Sequence, residues 1–265
     1  MLLENLISHF DSLWPPSDKE EWDKPGLMLG DPAQDVKKVL LSVDVTREVI
    51  EEAVASECQL IISHHPMFMR GLFELSELGP KGANAALAIR NHLAVFSAHT
   101  NADFQIGGVT QSLAHKLGLS ELNPLASTNS HVVIGSIKPI SLLDFARQVA
   151  KQLPAVAQGV RVAGDPARLI SKVAVLAGAG DAYLPMVALS DADLYITSDL
   201  RHHPAQDFTQ QSQISGGPAL IDIAHWAAEW VWLDNAKAQL DSLIPQVEFV
   251  VSEINTDPWT FAVMQ

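Results

Sequence analysis

The sequence is poor in residues that cross-link a chain or anchor it in a membrane. Cys58 is the single cysteine, which excludes an internal disulfide and leaves no support for a zinc–thiolate site. Its place just before the apolar run Leu60-Ile61-Ile62 predicts a buried core thiol. No apolar stretch approaches the roughly 20 residues that span a bilayer, and the opening MLLENLISHF lacks the basic head of a signal peptide. We therefore expect a cytoplasmic protein that is not associated with a membrane.

Positive charge is also scarce. The chain has 17 lysines and arginines against 31 aspartates and glutamates, which gives a formal net charge of −14. Because affinity for a phosphate backbone comes mainly from lysine and arginine contacts, a nucleic-acid partner is not expected. The acidic excess is foremost a feature of cytosolic solubility, and it is also compatible with a protein that collects metal cations.

The chain does contain a regular alternation of strands and helices. The strands predicted to precede the candidate functional residues are Val39–Val45, Leu60–Ser63, Leu93–Ala98, Leu194–Thr197 and Leu220–Ile223. Such alternation predicts βαβ units and an α/β fold with mostly parallel or mixed sheets. The segment 122–130 is rich in Asn, Ser, Thr and Pro, which indicates a domain boundary. We predict a first α/β domain of residues 1–125 and 222–265, which carries the metal ligands, and a second α/β domain of residues 126–221.

Candidate ligands follow three of the predicted strands. His64 and His65 come directly after one strand, Asp103 follows the next, and His225 follows a late one. In parallel α/β sheets, ligand sites collect beyond the carboxyl ends of the strands, so these residues can meet there. Neighbouring side chains of a strand point to opposite faces. Both histidines can therefore serve one site only if the strand has ended before them, or if each faces a different ion.

Glu229 completes the set, because it lies four residues after His225 and shares its helix face. Imidazole nitrogens with carboxylate oxygens suit Zn, Mn, Fe, Co or Ni. Five ligands exceed the three protein groups of a usual catalytic zinc, and match two ions roughly 3.5–4 Å apart. A purely structural interpretation stays open at this point, because single histidines at strand ends and isolated His-x-x-x-Glu pairs are common.

Four segments, LIISHHPMF, LAVFSAHTNADFQIGGV, ADLYITSDLRHHPAQDF and ALIDIAHWAAEW, together resemble the Nif-three-like family, whose members are named as homologs of GTP cyclohydrolase I type 2. The resemblance implies two divalent metal ions per subunit. The family's HHP, HTNxD and HxxxE motifs place the ligands at His64, His65, Asp103, His225 and Glu229. The resemblance also implies a toroidal homohexamer of two-domain subunits, with the metal ions in the crevice between the domains.

The chain departs from the family pattern near these ligands. Ala224 stands in place of the usual glycine before the metal-binding histidine, and Trp226 replaces the tyrosine after it. The family's TGD stretch reads Thr197-Ser198-Asp199. None of these changes removes a ligand, but they leave the shape of the pocket, and therefore the substrate, open.

The function that the resemblance implies is a metal-dependent hydrolase acting on a small molecule, a nucleotide or related heterocycle. The alternative is a non-catalytic metal-binding protein with a regulatory or scaffold role. Two histidines are candidate catalytic residues: His99 as a proton shuttle or partner of a ligand, against a structural role, and His203 as an acid or base. Gly178 and Gly180 resemble a phosphate-binding turn, although a tight βα turn is the favoured interpretation.

Overall fold

The computed structural model describes residues 1–103, 105–126 and 131–263. Contacts divide the chain into two compact units. The first comprises Met1–Gly108 and Leu233–Thr256, and the second comprises Val109–Trp232 with the chain after Thr256. Each unit contains one β-sheet with helices, so the predicted α/β class is confirmed.

The first unit contains a five-stranded sheet in the order β1-β4-β3-β2-β11. Its strands are β1 (Gly26–Leu29), β2 (Lys38–Ser42), β3 (Leu60–Ser63), β4 (Ala94–Ser97) and β11 (Glu248–Val251). All neighbours pair in parallel except β1, which is antiparallel to β4. The helices are α1 (Leu3–Leu13), α2 (Arg47–Ala55), α3 (Pro80–Arg90), the short α4 (Thr100–Asp103) and the carboxyl-terminal part of α9 (His225–Leu243), and a 3-10 turn spans Pro16–Asp18.

Local sequence explains why these elements form. The central strands β2 and β3 are apolar along nearly their whole length, as expected for strands buried on both faces. Helix α2 begins after Thr46, whose hydroxyl accepts a hydrogen bond from the Val49 amide at 3.4 Å. Its buried face packs against the sheet in one core cluster with Ile61 and Val95. Cys58 belongs to the same cluster and is buried, as predicted.

The second unit contains a six-stranded sheet in the order β5-β6-β8-β9-β10-β7. Its strands are β5 (Ser120–Pro124), β6 (Val133–Ser141), β7 (Arg161–Ala163), β8 (Leu169–Ala179), β9 (Leu194–Ser198) and β10 (Ala219–Ile223). Strands β8, β9 and β10 run parallel, and the outer pairs are antiparallel, so this sheet is mixed. The helices are α5 (Val109–Lys116), α6 (Leu142–Gln152), α7 (Leu184–Ala188), α8 (His202–Ser215) and the start of α9, and a 3-10 turn spans Asp181–Tyr183.

Side-chain caps and glycine also define helix ends in the second unit. The Ser141 hydroxyl accepts a hydrogen bond from the Asp144 amide at 3.2 Å and caps α6. Helix α8 ends at Gly216, whose φ of +73° is the left-handed conformation that favours glycine at helix ends. The core cluster of this unit includes Leu184, Tyr195 and Phe208.

Contacts group two segments differently from the predicted domains. Strand β5 pairs with β6, so residues 109–125 belong to the second unit rather than the first. Contacts likewise assign residues 222–232 to the second unit, and the end of the predicted boundary, residues 127–130, lies outside the described residues. Among the described residues, the structure has no helix with the length and apolar character needed to cross a membrane.

Candidate metal centre

The strand β3 ends at Ser63, immediately before the two adjacent histidines. Their backbone amides continue the ladder onto the chain after β2: His64 donates to the Ser42 carbonyl at 3.0 Å, and His65 donates to the Val43 carbonyl at 2.8 Å. Their ring centroids are 5.1 Å apart. Because the regular strand has already ended, the two side chains are not forced to opposite faces of the sheet.

His99 joins this pair. One ring nitrogen from each of His64, His65 and His99 lies within 4.8 Å of the other two, which is close enough for all three to bind one ion. Asp103, at the end of α4, places its Oδ1 atom 3.8 Å from His64 Nε2. The sequence predicts His99 as a proton shuttle or partner of a ligand, and the structure places it beside His64 and His65. The signal in the sequence was its position directly after a buried parallel strand, as for His64.

Each imidazole of this cluster has an oxygen atom within 3.0 Å of its Nδ1 atom. His64 Nδ1 lies 2.9 Å from the Ala98 carbonyl oxygen, and His65 Nδ1 lies 2.8 Å from Asp44 Oδ1. An oxygen acceptor at Nδ1 favours the tautomer that carries the proton there, which leaves the Nε2 lone pair available to a metal. In metal-binding histidines, the ring nitrogen that does not bind the metal commonly has such an oxygen partner.

Asp23 provides the same support for His99. Because β1 is antiparallel to β4, the residues just before β1 reach the carboxyl end of β4. Asp23 Oδ1 lies there, 3.0 Å from His99 Nδ1, and Asp23 Oδ2 accepts a hydrogen bond from the Thr100 hydroxyl at 2.6 Å. Burial alone would raise the pKa of the Asp23 carboxyl, but hydrogen bonds with His99 and Thr100 hold that pKa well below its ordinary value. Asp23 is therefore ionised and orients His99.

The second unit brings together His225 and Glu229 on the first two turns of α9. His225 Nε2 lies 2.9 Å from Glu229 Oε1, and the Glu229 side chain is buried. His225 Nδ1 lies 2.7 Å from Asp199 Oδ2. The parallel pairing of Ser198 with Ile223 explains this contact, because the residues that follow β9 and β10 emerge side by side.

Asp199 adopts a φ of +55°, in the left-handed region. An aspartate there costs backbone free energy that the surrounding structure must offset, and such strain is concentrated at functional sites. Burial alone would lower the pKa of His225, but the charge of Glu229 and the hydrogen bond with Asp199 raise it well above its ordinary value. Without a metal ion, the histidine therefore carries a proton between two carboxylates.

Gly178 lies against this pair. It has a φ of +90°, and a Cβ atom on it would lie 2.9 Å from Glu229 Oε1. The Gly178 carbonyl accepts a hydrogen bond from the Thr197 hydroxyl at 3.0 Å. At Gly180, a Cβ atom would lie 2.0 Å from Thr197 Oγ1. Close packing thus accounts for both glycines.

His203 has a different position from the other candidates. It is exposed on the first turn of α8, and its ring stacks edge-on with the ring of His202 at 5.1 Å. Among the described residues, it belongs to no group of potential ligands that can reach one ion. An acid–base role for His203 therefore stays a prediction from sequence.

Three carboxylates were not recognised from sequence as partners of the histidines: Asp23, Asp44 and Asp199. Each lies in a loop close to a strand end, and each lies within 3.0 Å of Nδ1 of a different histidine. The pairs are separated by 76, 21 and 26 positions in the chain, which hides them from any local spacing rule. The residues present fit a divalent metal with nitrogen and oxygen ligands, and each histidine partner is already in place.

Comparisons with known proteins agree with the fold. The family model described as Duf34/NIF3 (NGG1p interacting factor 3) matches residues 1–258. A Streptomyces coelicolor protein named GTP cyclohydrolase 1 type 2 homolog is 37% identical over 97% of this chain and 93% of its own length. A protein of the same name from Clostridium perfringens is 31% identical over 98% of this chain and its full length, 100%. The solved structure of a Bacillus cereus protein related to NIF3 is similar with a TM-score of 0.90 and 24% identity, covering 99% of both chains.

Proposed function

The chain belongs to the Duf34/NIF3 family, and from this membership and the histidine geometry we propose that it is a dinuclear metal-dependent hydrolase. The proposed ligands are His64, His65, Asp103, His225 and Glu229. The proposed ions are two divalent cations per subunit, drawn from Zn, Mn, Fe, Co and Ni. The proposed substrate is a small molecule, a nucleotide or related heterocycle.

One observation carries the proposal: four imidazoles have a backbone carbonyl oxygen or a carboxylate oxygen within 3.0 Å of Nδ1. Histidines with a purely structural role are not expected to share an oxygen contact at Nδ1. When ligands are oriented in this way, less conformational freedom is lost on binding an ion. The buried carboxylate of Glu229 adds an anionic oxygen that can bridge two cations.

When bound at these ligands, two divalent ions would lower the pKa of the attacking water and stabilise charge on the attacked group. The protein's own residues do the remaining work. Asp44 and Asp199 hold His65 and His225 in orientation. His99, fixed by ionised Asp23, is placed to accept or return a proton through its Nε2 atom. His99 is therefore the proposed proton carrier, and His203 is the weaker candidate.

Metal content tests the dinuclear assignment directly. Protein purified without chelator and reconstituted separately with each metal is expected to hold about two ions per chain by elemental analysis. A maximum of one ion, or none, would contradict it. Mutation of Asp103 and of Glu229 separately should each lower the stoichiometry, because the proposal assigns both as ligands.

The substrate class is suggested by the name of the relatives, GTP cyclohydrolase 1 type 2 homolog. The test is a hydrolysis screen of the reconstituted protein with GTP, other nucleotides, phosphoesters and cyclic amides. Turnover that is lost in Glu229→Gln supports a hydrolase. Full metal occupancy with no turnover of any substrate in the screen would instead favour the non-catalytic, regulatory or scaffold alternative.

We also propose that the protein is a cytoplasmic homohexamer, as its resemblance to the family implies. Light scattering at micromolar concentration is expected to give about six times the chain mass of 28.7 kDa. A mass near that of one chain would refute the oligomer.

A further inference from the structure

The second unit has an open cleft beside the edge strand β7, where helix α8 lies over the end of the sheet. Its volume is about 430 Å³, within the range of small-molecule sites. Leu200, Leu220 and Ala163 give it an apolar wall, and Arg161, Asp222 and Thr209 line it with polar groups. None of these six residues is among the proposed metal ligands or their partners.

Asp222 is the most informative residue of the cleft. It lies on β10 opposite Arg161 of β7, and its side chain is 7% exposed. Its Oδ2 atom pairs with the Arg161 guanidinium. Within the described part of the chain, its Oδ1 atom is buried and accepts no hydrogen bond. A buried carboxylate oxygen that lacks a donor is costly, and native proteins usually satisfy it with a ligand or an ordered water molecule.

Helix α8 contributes one face to the same cleft. His202, Gln206 and Thr209 are spaced by four and three residues, so they lie on one side of the helix. They add an imidazole, an amide and a hydroxyl to the lining of the cleft that also includes Asp222. The cleft therefore combines hydrogen-bond donors and acceptors with apolar side chains, as small-molecule sites commonly do.

We propose that this cleft binds a small uncharged heterocycle through its lactam edge, the ring N–H beside a ring carbonyl. The ring N–H donates to Asp222 Oδ1, and the adjacent carbonyl accepts from the Arg161 guanidinium. Arg161 repels a cationic ligand at this position, and Asp222 repels an anionic one, so a neutral donor–acceptor edge is the complement of the pair. The assignment does not depend on metal binding.

Inosine and 1-methylinosine provide a matched test, because in 1-methylinosine a methyl group replaces the hydrogen of the lactam N–H. Isothermal titration calorimetry of the full-length protein is expected to show inosine binding at least about tenfold more tightly. Asp222→Asn is expected to lose this preference. Equal affinity for the two nucleosides, or no binding of inosine at millimolar concentration, would overturn the proposal.

Variants on the helix surface keep the test valid if Asp222→Asn fails to fold. Thr209→Leu fills the cleft and is expected to abolish inosine binding while thermal melting stays close to wild type. Gln206→Ala is expected to weaken binding. Its control is Gln210→Ala, because Gln210 is exposed and is not among the residues that line the cleft; this variant should bind as wild type does. Binding that survives Thr209→Leu would overturn the proposal. Binding that is lost in Glu229→Gln but retained in Asp222→Asn would do so too, because it would assign the nucleoside to the proposed metal ligands.

Discussion

His65 Nδ1 lies 2.8 Å from Asp44 Oδ1, and the other carboxylate oxygen of Asp44 accepts a hydrogen bond from the Thr256 hydroxyl at 2.5 Å. Asp44 follows β2 and His65 follows β3, and these strands are parallel neighbours. The register of the sheet therefore determines the distance between the two side chains. Thr256 comes from the far end of the chain and fixes the carboxylate. His65 is thus held by contacts that involve three distant segments.

Asp44→Ala is expected to weaken metal binding about 10- to 100-fold, the usual effect of removing the partner of a metal-binding histidine. The fold should survive, because Asp44 lies at the surface end of the sheet and is part-exposed. Competition with a chelator measures the affinity. Asp234→Ala, at an exposed position of α9, is the matched control. Equal affinities for the two variants would show that Asp44 does not support a ligand.

Gly178→Ala is expected to displace Glu229, since the added methyl group would lie 2.9 Å from its Oε1 atom. We expect loss of bound metal, together with destabilisation of about 1–3 kcal/mol. Gly159 also has a positive φ, of +64°, but has no atom within 4 Å of an added Cβ. Gly159→Ala therefore controls for backbone strain, and it should keep its metal. If both variants keep their metal, Glu229 is not a metal ligand.

Glu229→Gln is expected to lose more metal than either His99→Ala or His203→Ala. A carboxylate can bridge two cations and offset their mutual repulsion, whereas a neutral amide cannot do so to the same degree. Elemental analysis and thermal melting of the three variants, measured together, test the ranking. A full metal complement in Glu229→Gln would remove it from the set of ligands.

Cys58 is expected to be unreactive in the native protein. Burial raises the pKa of its thiol from 9.0 to about 11, which leaves about a hundredfold less thiolate at neutral pH. The thiolate is the nucleophile, so the native protein should react slowly with a disulfide reagent at pH 8, and quickly after denaturation. Fast labelling of the native protein would show that the thiol is accessible and its pKa is ordinary.

Much of the local structure could be predicted from the sequence. The helix and strand positions around the ligands follow from apolar periodicity, and β3 ends at Ser63 as predicted. Strands β1 and β5 are harder to recognise from the sequence. Both are edge strands that pair antiparallel with one neighbour. Strand β1 is only partly buried and β5 reads SELNP, so neither has the pattern of a strand buried on both faces.

The candidate ligand atoms of the metal centre can be read from the amino-acid sequence: the histidines after β3 and β4, and the His-x-x-x-Glu pair that opens α9. Spacing along one strand or helix is a short-range property, and it is enough to place such residues at the ends of elements. The pairing of each carboxylate with its imidazole, in contrast, depends on the tertiary structure. Asp23 reaches His99 because β1 runs antiparallel to β4, and Asp199 reaches His225 because β9 and β10 pair in register. Strand order and register arise from the packing of whole sheets, and no local pattern contains them.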